Sequence, residues 1–121
     1  MNTLFTSTIV SIGDLVPDFL KENTVILFNE DAPDELRDIA VLHTKSEQFV
    51  SIEPGDIFQI GDLHLRVTSV GEKANETLQT IGHCTVKADG SAAPQLPGMI
   101  HVEDATLPSL EIGVKVAFFR S

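Results

Sequence analysis

The 121-residue chain contains no tryptophan or tyrosine, one cysteine, and few basic residues. A single cysteine cannot form an internal disulfide, so a reducing cytoplasm is the expected location. No apolar run approaches the roughly 20 residues that a membrane-spanning helix requires. The first residues also lack the basic start and long apolar stretch of a secretory signal. These absences predict a soluble cytoplasmic domain.

Basic charge is scarce and scattered. Eight lysines and arginines stand against 18 aspartates and glutamates, giving a formal net charge of −10. Binding to nucleic acid or to anionic lipid needs a positive patch, so the composition argues against both. Two interpretations of the acidity remain: it could steer a basic protein partner, or it could only keep the domain soluble.

Short extended segments dominate the chain. The length suits a single domain spanning residues 1–121. About eight apolar or alternating segments are separated by turn-rich intervals, which is typical of an all-β sandwich or barrel. Glycine-rich turns and a strongly apolar last segment favour a small closed or nearly closed antiparallel β-barrel. At most one or two short helical turns are expected, one of them ended by Gly82.

Three local features are specific enough to test. The Gly61-Asp62 pair between two predicted strands indicates a hairpin with glycine at the first turn position. Residues 49–52 form a short apolar run that predicts another strand. Cys84 lies in a strand-like run, where a buried small residue is a more common role than a reactive thiol.

His43 closes a run of four apolar residues, Ile39 to Leu42. The run is too short for a buried helix and predicts a core strand that leaves the core at the imidazole. A neutral imidazole there could act as a nucleophile, a base or a metal ligand. A lone histidine at a strand end is more often structural, with one ring nitrogen hydrogen-bonded and the other in water.

Metal and phosphate motifs are missing. No histidine or cysteine spacing resembles a local metal-ligand pair, so a zinc enzyme would require His64, His83 or His101 to converge in space. Neither a nucleophile elbow nor a glycine-rich phosphate loop is present. No metal or cofactor is therefore expected, and histidine chemistry among hydroxyls and acids remains.

An ordered set of short segments extends along nearly the whole chain. The set comprises residues 9–13, 28–33, 41–43, 54–56, 67–71, 78–86, 89–90 and 96–102. Each segment alone is weak, but together and in this order they resemble the glucitol/sorbitol-specific enzyme IIA component of the bacterial phosphoenolpyruvate-dependent sugar phosphotransferase system.

The resemblance implies a β-barrel phosphocarrier. In that family a histidine accepts a phosphoryl group from the phosphocarrier protein HPr and passes it to the IIB component, during glucitol/sorbitol uptake with the membrane-bound IIB/IIC components. The family's phosphorylated histidine falls on His43, with the phosphoryl group on Nε2. The alternative is a cytoplasmic β-barrel binding or regulatory module with a structural His43.

A phosphocarrier also needs particular surroundings for this imidazole. One ring nitrogen should be held by a carbonyl or carboxylate, and the attacking nitrogen should be free and face solvent. The side chains expected to contact the phosphate are Thr44, Ser46, His83 and His101. The adjoining surface should be apolar with a charged rim, suited to brief docking of protein partners.

Overall fold

The computed structural model describes residues 2–121, in which eight strands pair side by side and close into a ring. The order around the ring is β1-β3-β2-β6-β7-β5-β4-β8, and β8 pairs with β1. This confirms the predicted all-β, closed architecture. The strands are β1 Asn2–Ile12, β2 Thr24–Asn29, β3 Val41–His43, β4 Ile57–Ile60, β5 Leu63–Val70, β6 Cys84–Ala88, β7 Met99–Val102 and β8 Lys115–Arg120.

Two of the neighbouring pairs are parallel, unlike the expected all-antiparallel ring. β2 pairs with β3, and β6 with β7, in the parallel direction. Parallel neighbours need a crossover connection rather than a tight hairpin. Residues 30–40 and 89–98 are those crossovers. The β4–β5 connection is the predicted hairpin, with Gly61 at a φ of 60°.

The interior of the ring is packed with aliphatic and phenylalanine side chains. Phe5, Phe58 and Phe118 are buried, and the Phe118 ring centroid lies 5.0 Å from that of Phe58 and 6.2 Å from that of Phe5. Burying a side chain of this size contributes roughly 1.5–3 kcal/mol relative to leaving it in water. The alternation along β5, with Leu65 and Val67 buried, follows the two-residue period of a strand.

Helical structure is limited to α1 (Val16–Leu20), a 3₁₀ turn (Asp34–Leu36) and α2 (Ala74–Ile81). α2 buries Ala74 and Leu78, four residues apart on one face, and is longer than the single turn expected. It ends as predicted at Gly82, which adopts a left-handed conformation. Within residues 2–121, no helix has the length and apolar character needed to span a membrane.

The predicted strand at residues 49–52 is wrong. The backbone N–H of Ile52 donates to the Asn75 side-chain oxygen at 2.7 Å, and the Asn75 amide nitrogen donates back to the Ile52 carbonyl at 3.0 Å. The backbone of Ile52 is thus paired with a side chain of α2 rather than with a strand. This pairing fixes the 49–52 segment against α2.

Candidate functional site

The imidazole of His43 lies at one end of the strand ring. β3 ends at His43, whose register partner on the parallel strand β2 is Asn29, the last residue of that strand. Val41 and Leu27, two residues earlier on each strand, belong to the main core. Because side chains alternate along a strand, His43 and Asn29 point to the same inner side as those core residues.

Both nitrogens of the His43 ring have partners. Nδ1 lies 2.8 Å from the Thr44 carbonyl oxygen, and Nε2 lies 2.9 Å from the Gly82 carbonyl oxygen. The Phe5 ring packs edge-on, with centroids 5.6 Å apart, and His43 is 0% exposed. The expected backbone carbonyl partner is present. The prediction that the other ring nitrogen is free and faces solvent is wrong for this conformation. The reason is that β3 ends inside the ring and the end of α2 covers it.

The two carbonyl partners restrict the protonation of the ring. A carbonyl oxygen only accepts hydrogen bonds, whereas a neutral imidazole has a single N–H. Both contacts of His43 are therefore hydrogen bonds only when the ring carries two protons. In either neutral tautomer, one carbonyl oxygen faces a nitrogen lone pair and the two repel. With the proton on Nδ1, the unfavourable contact is the one at Gly82.

Gly82 lets the end of α2 approach the imidazole this closely. Its φ is 68°, a conformation that glycine adopts without strain. A Cβ atom on Gly82 would overlap the Asn29 side chain and lie 2.9 Å from Cε1 of His43. Sequence reasoning identified Gly82 as a helix terminator only. It missed the contact with His43 because 39 residues separate the two positions.

A cavity of about 200 Å³ opens beside the buried imidazole. Phe5 and Asn29, which flank His43, form part of its wall, and Lys45 contributes an ammonium group paired with the Asp31 carboxylate at 2.9 Å. The hydrogen bond from Lys45 lowers the pKa of Asp31, so this carboxyl stays ionised. The remaining wall is formed by Ser46, Gln48, Phe49 and residues 78–81.

Thr44 and Ser46, two of the predicted phosphate contacts, lie next to this site, and both hydroxyl oxygens accept hydrogen bonds from β1. The N–H of Thr8 donates to the Thr44 hydroxyl oxygen at 3.0 Å, and that of Thr6 donates to the Ser46 hydroxyl oxygen at 3.1 Å. Ser46 in turn donates its hydroxyl proton to the Gln48 carbonyl at 2.6 Å. These bonds attach the segment after β3 to β1. Of the two side chains, only Ser46 lines the cavity.

His83 and His101 do not line the cavity. The His83 ring stacks on Phe28 with centroids 4.9 Å apart, and its Nδ1 donates to the Leu27 carbonyl at 3.1 Å. His83 is nevertheless adjacent in sequence to Gly82, whose carbonyl contacts His43. The structure therefore places the His83 ring against Phe28 and outside the cavity, although His83 was predicted to contact the phosphate.

His101 is 0% exposed and belongs to β7. In the ring order, β2 and β6 lie between β7 and β3, the strand that ends at His43. Its Nδ1 donates to the Asp89 carboxylate at 2.8 Å, and its Nε2 accepts from the N–H of Gln95 at 3.2 Å. Both ring nitrogens therefore hold the 89–98 crossover. The structure does not bring His101 to the site of His43.

The three histidines required for a zinc site do not converge. His64 is exposed and packs edge-on against Phe119, with centroids 5.6 Å apart. In the part of the chain that the structure describes, no three histidine, cysteine, aspartate or glutamate side chains are grouped as metal ligands. Cys84 is buried as predicted, and burial raises the pKa of its thiol to about 12.

A larger opening, of about 340 Å³, lies between α1 and residues 106–110. Its wall is mostly aliphatic and proline, and Lys21 is the one ionisable side chain that contributes to it. Its other polar side chains are the hydroxyls of Thr106 and Ser109, and no imidazole or carboxylate lines it. The opening beside His43 is smaller, but it adjoins the histidine on which the family resemblance places the phosphoryl group.

Exposed apolar residues lie near the opening beside His43. Ile81 lines the cavity and is 42% exposed, and Val50, also 42% exposed, follows the cavity residue Phe49. Asp31 and Lys45 bring charge to the same edge. Two exposed apolar side chains and one ion pair therefore lie at this edge, and the expected apolar docking surface stays a prediction.

Comparison with known proteins identifies the family. Residues 4–117 match the model of the PTS system glucitol/sorbitol-specific IIA component. The chain is 33% identical over 102 residues to proteins of that description from Shigella flexneri and Escherichia coli, covering 84% of this chain and 83% of each relative. The crystal structure of the PTS system IIA component from Enterococcus faecalis superposes with a TM-score of 0.80 at 30% identity, covering 94% of this chain and 98% of that one. The chain therefore belongs to the family of glucitol/sorbitol-specific IIA components of the sugar phosphotransferase system.

Proposed function

We propose that this chain is a cytoplasmic phosphocarrier whose His43 accepts a phosphoryl group from phosphorylated HPr and passes it to the IIB component during glucitol/sorbitol uptake. The observation that carries the proposal is the family match over residues 4–117, which includes His43. The family implies partners of the IIB/IIC type within the same system. The side chain best suited to covalent transfer is His43, since it lies beside a polar cavity with Nδ1 held by a carbonyl.

The transfer requires a lone pair on Nε2. With its proton on Nδ1, donated to the Thr44 carbonyl, His43 attacks phosphorus with the Nε2 lone pair. A new N–P bond forms as the N–P bond in the phosphohistidine of HPr breaks, and the electron pair of the broken bond stays on the HPr imidazole. The reverse exchange then passes the same group to the IIB component. No oxidant, reductant or metal enters this balance.

The Gly82 carbonyl must move before Nε2 can react. It occupies the direction of the Nε2 lone pair at 2.9 Å and leaves no room for phosphorus. The attacking tautomer favours that movement, because it places the lone pair against the carbonyl oxygen. Gly82 also ends α2 and has no side chain, so its peptide can rotate without dragging a side chain through the site.

Docking of the two partners fits the surface beside the opening. Ile81 is exposed at the end of α2, one residue before Gly82, so a protein bound there would contact the segment that has to move. The acidic net charge of −10 favours encounter with basic surfaces and predicts that association slows as salt rises. Brief docking suits a carrier that must release each partner.

Incubation with phosphoenolpyruvate, enzyme I and HPr, followed by mapping of the modified residue, tests the proposal. We expect acid-labile, base-stable phosphate on His43, and no labelling of folded His43→Gln. His64→Gln is the matched control, because His64 is an exposed imidazole packed on Phe119. Circular dichroism spectra that match wild type establish that both variants fold.

Labelling of His43→Gln at the wild-type rate would refute this assignment. A wild-type chain that takes no phosphate would instead favour a binding or regulatory module with a structural His43. One observation supports that second function: the imidazole is 0% exposed and both of its nitrogens contact carbonyls.

A further inference from the structure

Asn29 is a buried polar residue beside His43 whose side chain the chemistry above does not use. It is the last residue of β2, the register partner of His43, and 8% exposed. Its side chain also touches the position of Gly82, since a Cβ there would overlap it. Asn29 thus packs against both the imidazole and the segment that must move to free Nε2.

The side-chain amide of Asn29 has no hydrogen-bond partner within residues 2–121. Over the same residues, every side-chain nitrogen or oxygen that is completely shielded from solvent does have a partner. The Asn29 amide therefore keeps some accessible surface, and the cavity beside His43 is the space that Asn29 lines. Asn75 shows the contrast, because its amide is paired on both sides with Ile52. An unpaired amide in a largely buried side chain is costly unless something uses it.

We infer that the Asn29 amide N–H donates a hydrogen bond to a phosphoryl oxygen carried on Nε2 of His43; this rests on the proposed function. A phosphoryl group offers only acceptor oxygens, and an amide NH₂ supplies two donors without titrating. Because the amide is neutral, its bond to the anion is weaker than a guanidinium or ammonium contact. That suits a group that must be passed on rather than retained. Asn29 neither gives up nor takes a proton in this role.

The surrounding charges fit this arrangement. The ammonium of Lys45 lies on the same cavity wall but is neutralised by Asp31 at 2.9 Å. The hydroxyl proton of Ser46 is committed to Gln48. Among the polar side chains that line the cavity, the amides of Asn29 and Gln79 have uncommitted donors, and of these two only Asn29 is the register partner of His43. Sequence reasoning missed it because Asn29 opens an acidic, loop-like segment, and only the parallel pairing of β2 with β3 sets it beside His43.

Phosphoryl transfer from phosphorylated HPr to Asn29 variants tests this inference. Asn29→Asp keeps the shape but replaces the donors with a carboxylate, and Asn29→Ser keeps a shorter donor. We expect acceptance by Asn29→Asp to be about 100-fold slower, with a milder loss of about 10-fold for Asn29→Ser. The ³¹P resonance of the phosphohistidine should shift in both variants. Asn2→Asp, the same charge change at an exposed residue of β1, should leave both readouts unchanged.

The outcomes separate this inference from the proposed function. Labelling of wild-type His43 together with Asn29 variants that react within twofold of wild type, at an unchanged ³¹P position, would overturn the role of Asn29 and leave the carrier function standing. Absence of phosphate on wild-type His43 would contradict both the role of Asn29 and the proposed carrier function. If Asn29→Asp does not fold, Asn29→Ser and its ³¹P spectrum decide between the same alternatives.

Discussion

Replacing Gly82 by alanine tests the packing of α2 over the imidazole most directly. Gly82 has a φ of 68°, and an alanine Cβ there would overlap the Asn29 amide and approach Cε1 of His43 to 2.9 Å. Alanine at this position therefore meets two separate penalties, one in its own backbone and one against its neighbours. We expect Gly82→Ala to fold with a clearly reduced free energy of unfolding.

The two penalties can be given magnitudes. A non-glycine residue in the left-handed region costs about 1–2 kcal/mol. Forcing an extra methyl group into a packed site costs about 1–3 kcal/mol more, because neighbouring side chains must leave their preferred rotamers. The expected loss for Gly82→Ala is therefore about 2–5 kcal/mol, a large part of the stability of an ordinary domain.

Gly90→Ala is the matched control. Gly90 has nearly the same φ, 70°, but a Cβ there would lie 3.5 Å from the Asp104 backbone nitrogen and 3.8 Å from the Asp104 Cβ, both ordinary contacts. Urea denaturation of both variants should give a loss of about 1–2 kcal/mol for Gly90→Ala and a larger one for Gly82→Ala. Equal losses, within about 0.5 kcal/mol, would show that α2 does not close over His43 in solution.

Two further predictions concern buried ion and imidazole contacts elsewhere in the ring. Burial alone would raise the pKa of Asp56, but hydrogen bonds from Arg120 and from the Glu53 N–H outweigh it and lower the pKa. Asp56→Asn should cost about 2 kcal/mol at pH 7, and urea titrations should show the difference from wild type shrinking below about pH 4. The stabilisation from a lowered carboxyl pKa is complete above the unfolded pKa and is lost as the pH falls through the folded pKa. His101→Gln should lower the free energy of unfolding by about 1–3 kcal/mol because it releases Asp89, yet still accept phosphate at the wild-type rate. A large loss of phosphate acceptance in the folded variant would contradict the placement of His101 away from the site of His43.

Features set by neighbouring residues could be predicted from the sequence. The Gly61-Asp62 hairpin, the end of a helix at Gly82 and the burial of Cys84 each depend on a few adjacent side chains. The strand that ends at His43 was predicted for the same reason, from four apolar residues in a row. Such local patterns determine which element forms and where it stops.

The surroundings of His43 depend on contacts that are distant in sequence. Burial of the imidazole comes from the Gly82 carbonyl, 39 residues away, and from the Phe5 ring on β1. A strand end predicts an exposed side chain only when nothing packs across the end of the sheet. The strand expected at residues 49–52 does not form for a related reason, because the Asn75 side chain on α2 hydrogen-bonds to both the N–H and the carbonyl of Ile52.

A buried imidazole is compatible with a carrier because the phosphorylated and free forms face different demands. In the proposed carrier the phosphorylated form needs the segment at Gly82 displaced, since the Gly82 carbonyl, 2.9 Å from Nε2, occupies the place of phosphorus. The free neutral ring, by contrast, has one proton for two carbonyl oxygens and so lacks a full set of hydrogen bonds in the closed form. Under the proposed function, opening at Gly82 relieves that mismatch when Nε2 has to be reached, so a partner bound at Ile81 would need to supply only the remaining free energy of opening.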